Sequence, residues 1–189
     1  FGGIAVVGNT ANAGTQGAWQ YSTNAGSNWF AIGSVTDGAT ALALSSATLV
    51  RFVPVANYNG SPPALTVRGL DDTYVAGFST TAGSETRVNV NTTTNGGTTA
   101  IAAASATLST SITAVNDAPT LGNGTLAAVN EDTASPAGQA LTTVFSGQFA
   151  DIDAGSSFGG IAVVGNTANA GTQGAWQYST NAGSNWFAI

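Results

Sequence analysis

Residues 158–189 repeat residues 1–32 letter for letter. Both stretches read FGGIAVVGNTANAGTQGAWQYSTNAGSNWFAI, and the step from Phe1 to Phe158 sets a period of 157 residues. The match includes Trp19 with Trp176 and Trp29 with Trp186, so biased composition does not produce it. The 189 residues hold one full period and the opening of the next. Self-similarity of this kind is the mark of a repeat array. It predicts that Phe1 and Ile189 are cuts in a longer chain that continues the pattern both ways.

The period is large for one sandwich but within the usual range of domain sizes. Only 6% of residues are charged, against about 25% in an average soluble domain. There is no His, Cys or Met, and the three basic residues are Arg51, Arg68 and Arg87. Hydrophobic residues still make up 43% of the chain, enough to bury a core. The polar remainder, rich in Thr, Ser, Asn and Gly, suits strands and turns more than helices.

The net charge is −6, and all charged side chains lie between Asp37 and Asp153. Such a surface repels nucleic acid and anionic membrane. No apolar run approaches the ~20 residues a membrane helix needs, so neither nucleic acid nor membrane insertion is expected. The absence of Cys removes disulfides and thiol chemistry. The absence of Lys removes lysine–asparagine crosslinks.

Period-two alternation runs from Ser105 to Val115, with Ala106, Leu108 and Ile112 on one side and Ser and Thr on the other. It predicts one long strand. Ile4 to Val7, Ala18 to Ser22, Trp29 to Ile32, Leu49 to Val53 and Leu65 to Leu70 are further strand candidates, and Thr86 to Val90 is an added one. Asn24-Ala25-Gly26-Ser27 reads as the turn of a hairpin, and Pro54 as a strand stop. Ala39 to Ala47 reads as a helical turn. A long insertion is expected between Asp72 and Ala104. Seven or more short strands between Gly/Asn turns argue for an all-β sandwich. Asn116-Asp117-Ala118-Pro119 should end a unit, because proline cannot extend a ladder. Residues 1–118 are then the later part of one sandwich, and 119–189 the opening of the next.

Several motifs, taken in order, resemble one family. Ile112-Thr113-Ala114-Val115-Asn116-Asp117-Ala118-Pro119-Thr120 resembles the junction of cadherin-like, immunoglobulin-like tandem repeats in giant bacterial surface adhesins, the VCBS-type repeat proteins. Val129-Asn130-Glu131-Asp132-Thr133 is similar to their opening acidic strand. Phe149-Ala150-Asp151-Ile152-Asp153-Ala154-Gly155 is similar to their Asp-x-Asp-x-Gly turn. Gly17-Ala18-Trp19-Gln20-Tyr21-Ser22 with Trp29 resembles their tryptophan hairpin, and Asn57-Tyr58-Asn59-Gly60 their closing turn. Leu65-Thr66-Val67-Arg68 with Asp71-Asp72 resembles the following strand and its acidic end.

The resemblance implies tandem Greek-key immunoglobulin/cadherin-like β-sandwich repeats, outside the cell at a bacterial surface. It also implies calcium clamped near domain junctions. The carboxylates available at strand ends and junctions are Asp71, Asp72, Asp117, Glu131, Asp132, Asp151 and Asp153. Calcium takes six to eight oxygen ligands, and carboxylates two apart on a turn can reach one ion. The same residues serve equally as solvated turn acids that keep an almost uncharged fibre soluble.

Function then divides into two readings. In the first the chain is a structural, non-enzymatic spacer, an adhesin stalk or extracellular filament. Its partners are neighbouring repeats and copies of itself. In the second it is a carbohydrate-binding module on the same scaffold, with Trp19, Tyr21 and Trp29 stacking on glycan. Those aromatics serve equally to pack a core or brace the hairpin. Asp151 with Asp153, or Glu131 with Asp132, fits a glycosidase pair poorly, because adjacent acids on one turn do not face each other across a substrate.

Overall fold

The computed structural model describes residues 1–189 and divides them into two units, Phe1–Val115 and Asn116–Ile189. Almost every regular element is a strand, and every strand pairing is antiparallel. No helix is long and apolar enough to cross a membrane.

The first unit contains β1 (Gly3–Gly8), β2 (Gly17–Ser22), β3 (Phe30–Ala31), β4 (Ala41–Ser45), β5 (Leu49–Pro54), β6 (Leu65–Leu70), β7 (Asn89–Val90) and β8 (Ile101–Leu108). They form a five-stranded sheet, β7-β4-β1-β6-β8, and a three-stranded sheet, β3-β2-β5. One core lies between the sheets. Val6, Leu42, Leu44, Leu65 and Val67 of the larger sheet meet Trp19 and Tyr21 of the smaller, with Ile32 and Val35 closing the end. The larger sheet buries its other face as well. There Ala5, Val7, Ala41, Ala43, Leu70, Val90 and Ile101 lie under Tyr74, Phe78 and Val88. The long insertion read between Asp72 and Ala104 thus acts as a lining for the second face.

This double burial explains one correction. Ala39 to Ala47, read as a helical turn, contains β4. Its residues Ala41–Leu44 are all buried, because β4 sits between β1 and β7 with both faces covered. A strand buried on both sides reads as a continuous apolar run and loses the alternation that reveals half-buried strands. A second correction concerns Ser105 to Val115. The strand is Ile101–Leu108, and only Ile112 pairs further on, in an isolated bridge with Gly60. Its start is set by Ile101 opposite Leu70, a contact that periodicity within the segment does not reveal. β8 is an edge strand, and after Ile101 all its residues are exposed.

Pro54 lies at the end of β5, an edge strand, where a missing N–H is tolerated. Opposite it stands Gly17, at φ +126°. A Cβ there would lie 2.2 Å from the Val53 carbonyl oxygen, so only glycine lets β2 and β5 approach.

The second unit has short elements. β9 (Thr120–Leu121) pairs with β10 (Phe149–Ala150), a helix α1 spans Leu141–Val144, and β11 (Gln177–Tyr178) pairs with β12 (Phe187–Ala188). Phe145, Phe149 and Phe158 form an aromatic group, with Phe158 5.9 Å from each of the other two. No residue from 116 to 189 is buried. Val129 to Thr133, read as an opening strand, forms no strand; it is exposed and turns at Glu131-Asp132. Asp132 takes φ +62° there, which breaks an extended run.

The two copies of the repeated sequence therefore fold differently. Local features recur. Gln177↔Ala188 and Tyr178↔Phe187 reproduce the register Gln20↔Ala31 and Tyr21↔Phe30. The turn is also the same: Gly26 N–H donates to Ser22 Oγ at 2.9 Å, and Gly183 N–H to Ser179 Oγ at 2.9 Å. Ala25 and Ala182 share a left-handed φ of 55° and 54°. The counterpart of β1, residues 160–165, forms no strand. β1 is held by β4 and β6, which lie 33 or more residues further along the sequence, so its order depends on long-range pairing.

Candidate functional site

The sequence-predicted acids lie in both units, and each can be followed to what it holds. Asp71 directly follows β6. Its Oδ1 accepts the backbone N–H of Thr73 at 2.8 Å and the Thr73 hydroxyl at 2.6 Å. These hydrogen bonds, the hydroxyl's first, hold its carboxyl below the usual carboxylate range. Asp72 is exposed beside it. This is a side-chain-closed turn, in which an aspartate bonds the backbone two residues on.

In the second unit, Asp153 Oδ2 accepts the Asp117 N–H at 2.7 Å, and Asp151 Oδ1 accepts the Asp153 N–H at 2.9 Å. The structure thus brings the Asp117 backbone to the Asp153 carboxylate, 36 residues away, with Asp151 capping Asp153. Glu131 and Asp132 are exposed on their own turn and hold none of these partners. The donor chemistry, carboxylate oxygen, is that of a hard cation such as calcium. The geometry is less complete: no three acidic side chains converge as a metal-holding group. The Asp151 and Asp153 carboxylates each accept a backbone N–H through one oxygen, so each retains one oxygen free of these bonds.

Trp19 and Tyr21 of the first copy are buried in its core, and Trp29 is half-buried. Trp19 is 3% exposed, donates Nε1–H to the Pro63 carbonyl at 2.9 Å, and packs edge-on to Phe52. Tyr21 is fully buried, and its hydroxyl donates to Glu85 Oε1 at 2.6 Å. Burial above all, then this bond, pushes the phenol far above its ordinary value. Trp29 carries the Arg51 guanidinium 3.9 Å above its ring, and Arg51 also donates twice to Gln20 Oε1. This cation–π brace covers one face of the ring. In the second copy, Trp176 and Tyr178 are 53% and 50% exposed.

Sequence reasoning missed the polar clamps that tie the insertion to the sandwich. Arg68 forks onto Asp37 at 2.9 and 2.6 Å, and also donates to the Ala102 and Ala103 carbonyls of β8. Thr92 donates to Asp37 at 2.7 Å. Thr81 and Thr23 exchange hydrogen bonds: each backbone N–H donates to the other's hydroxyl at 2.8 Å. The scarcity of charge was the one available signal. With three arginines and nine acids, each arginine is a prime suspect for a structural role.

One prediction arises directly. Hydrogen bonds from Arg68, then Thr92, hold Asp37 at a pKa of about 2, against 3.8 for an unperturbed group. A lowered folded-state value contributes stability that is complete above pH 3.8 and lost as pH falls through about 2. Solvent screening keeps the effect small, since the Asp37 side chain is 45% exposed. Asp37→Asn should flatten that part of the acid unfolding profile, as followed by circular dichroism. An unchanged profile would show that the clamp adds nothing.

The fold defines an all-β, β-sandwich-like protein. Compared with family models, curated proteins and solved structures, the chain matches none.

Proposed function

We propose that the chain is a structural spacer from a giant secreted bacterial surface protein, an adhesin stalk or extracellular filament. In this reading the units are tandem Greek-key immunoglobulin/cadherin-like repeats, outside the cell, with mechanical reach as their activity. The observation that carries it is the unbroken identity of two 32-residue stretches one period apart. Selection for a ligand site has no need of a second identical copy; an array of like units does. The low charge supports it, because weak self-repulsion lets like units pack closely. The polar side chains of the first unit support it as well, since they clamp one strand to another. Electron microscopy of the native assembly tests the reading. The expected image is a fibre with an axial repeat of roughly 40–50 Å, the scale of one sandwich per period. Isolated globular particles would overturn it.

Calcium belongs to the same reading, with ligands drawn from Asp71, Asp72, Asp117, Glu131, Asp132, Asp151 and Asp153; the free carboxylate oxygens of Asp151 and Asp153 are the best supported of these. Extracellular modules bind calcium with dissociation constants near ~10⁻⁴–10⁻³ M. A site occupied at 100 times its dissociation constant stabilises a fold by about 2.7 kcal/mol. Chelation should therefore lower the melting temperature of the second unit by several degrees, measured by calorimetry. An identical melt in EDTA would remove calcium from the proposal.

The alternative, a carbohydrate-binding module, has one observation in its favour: the half-exposed Trp176 and Tyr178. Saturable quenching of tryptophan emission by a glycan, lost in Trp176→Ala, would favour it over the spacer.

A further inference from the structure

We infer that Arg51, held by Gln20 and Trp29 on the outer face of the three-stranded sheet, is a carboxylate receptor, and that Asp72 of a second copy of the chain fills it. The choice of a second copy rests on the spacer reading; the contact gives like units a specific way to bind one another.

Arg68 pairs with Asp37 and Arg87 with Glu85, and these are the two ion pairs of the chain. Arg51 pairs with no carboxylate, although the chain carries nine acids to three arginines. It is nevertheless fixed. It stands directly opposite Gln20 in the register of β2 and β5. Its Nε–H and one Nη2–H both donate to Gln20 Oε1, at 2.9 and 2.8 Å, and its guanidinium carbon lies 3.9 Å from the centroid of the Trp29 ring. A guanidinium has five N–H donors. The three left here, on Nη1 and Nη2, include the end-on pair that grips both oxygens of a carboxylate. A long side chain ordered before contact loses less entropy on binding. Arg51 is exposed, and so are Leu49 and Val53, two residues to either side of it on the same face of β5. The receptor is thus one fixed cation between two apolar side chains.

The first unit also carries the matching projection. Asp72 is exposed at the tip that follows β6, and its carboxylate takes part in neither ion pair. Three residues on, Val75 is 92% exposed, the most exposed large hydrophobic side chain of that unit. A carboxylate beside a bare valine complements a cation flanked by Leu49 and Val53. The tip is shaped from within. The Asp71 carboxylate accepts the Thr73 N–H and hydroxyl, and the Asp71 carbonyl accepts the Tyr74 N–H at 3.3 Å. The Tyr74 ring packs 5.2 Å from that of Phe78, over the larger sheet. Neither side therefore has to fold in order to meet the other.

The two surfaces are unlike, a projection on one copy and a receptor on the next, so the contact need not close on itself and can add copy after copy. One exposed ion pair is weak. Chains that carry many identical units repeat it, and linked contacts raise avidity without any new one. Such a contact suits a fibre: dilute single units stay apart, and long arrays hold together.

Sedimentation velocity of the full chain, from micromolar to millimolar concentration, tests this with two surface variants whose fold is checked by circular dichroism. The average mass of the parent chain should rise with concentration to twice the monomer and beyond. Arg51→Ala, which keeps the projection, and Asp72→Ala, which keeps the receptor, should each remain monomeric. Mixed together they should form dimers and stop there, since one intact receptor meets one intact projection and nothing is left to extend the pair. A parent chain that stays monomeric overturns the inference, as does association of either variant alone, or a mixture that does not pair. Calorimetric binding of polygalacturonate by a monomeric parent, lost in Arg51→Ala, would give the receptor to an acidic glycan and overturn the choice of partner. The spacer reading is decided separately, by the native electron micrograph. Fibres together with a monomeric parent chain would remove this contact alone, and globular native particles together with an associating parent would remove the spacer alone.

Discussion

Tyr21→Ala should destabilise the first unit by about 3–5 kcal/mol in dilute solution, the cost of removing a large buried aromatic. The identical change at Tyr178 should move stability by less than about 0.5 kcal/mol, as exposed substitutions do. The two tyrosines share the same neighbours in sequence, from Phe1 to Ile32 and from Phe158 to Ile189. They differ in what the rest of the chain brings to them. Tyr21 is fully buried among Val6, Leu42, Leu44 and Leu65, with Glu85 at its hydroxyl. Tyr178 has a tilted ring contact with Phe187, 5.9 Å between centroids, and is otherwise half exposed. The measurement is a pair of urea melts read by far-ultraviolet circular dichroism. Equal losses at the two positions would mean that the second copy is packed like the first, and the contrast drawn between them would fail.

That contrast also shows what a sequence can disclose about this fold. Hairpins and turns closed by neighbouring residues form in both copies, because Ser22, Asn24 and Asn12, like their counterparts Ser179, Asn181 and Asn169, bond to backbone within a few residues. Those were legible. The half-buried strands β2, β5 and β6 were legible too, to within about one residue, since one covered face leaves an alternating pattern. β1 was visible as a short apolar run, but a window of residues cannot say that the same run at Ile161 goes unpaired. β4 was hidden for the opposite reason: an insertion about 40 residues downstream covers its second face and erases the alternation. Of the acidic residues, only their chemical type could be read. That Asp153 meets Asp117, while Glu131 stands apart, depends on distances between remote segments. Tyr21 with Glu85 and Arg68 with Asp37 are separated by 64 and 31 residues, and no local pattern marks such pairs.

Stability of the first unit should also fall sharply as pH rises above 10, and Tyr21 should be the main cause. Its hydroxyl is buried against the core and donates to a carboxylate, so ionisation would place a phenolate in an apolar site beside Glu85. Burial is the larger cause of the raised pKa, followed by the bond to Glu85 and the repulsion of its charge; Ser79, and then Arg87, 3.4 Å from Glu85, only partly offset them. In the unfolded chain the phenol ionises near its ordinary value of 10.0. A folded-state value raised above the unfolded one contributes stability that is complete below pH 10 and is progressively lost above it. Tyr74, also pushed up by burial, adds to the slope from the other face of the larger sheet. Tyr21→Phe separates the two. At neutral pH it should lower stability by about 1.5–3 kcal/mol, the usual worth of a hydrogen bond to a charged group. Above pH 10 its unfolding profile should be the flatter of the two, because the phenylalanine ring has no proton to lose. Thermal melts of both proteins across the alkaline range decide the matter. If the two profiles fall in parallel, Tyr21 is not the group that titrates.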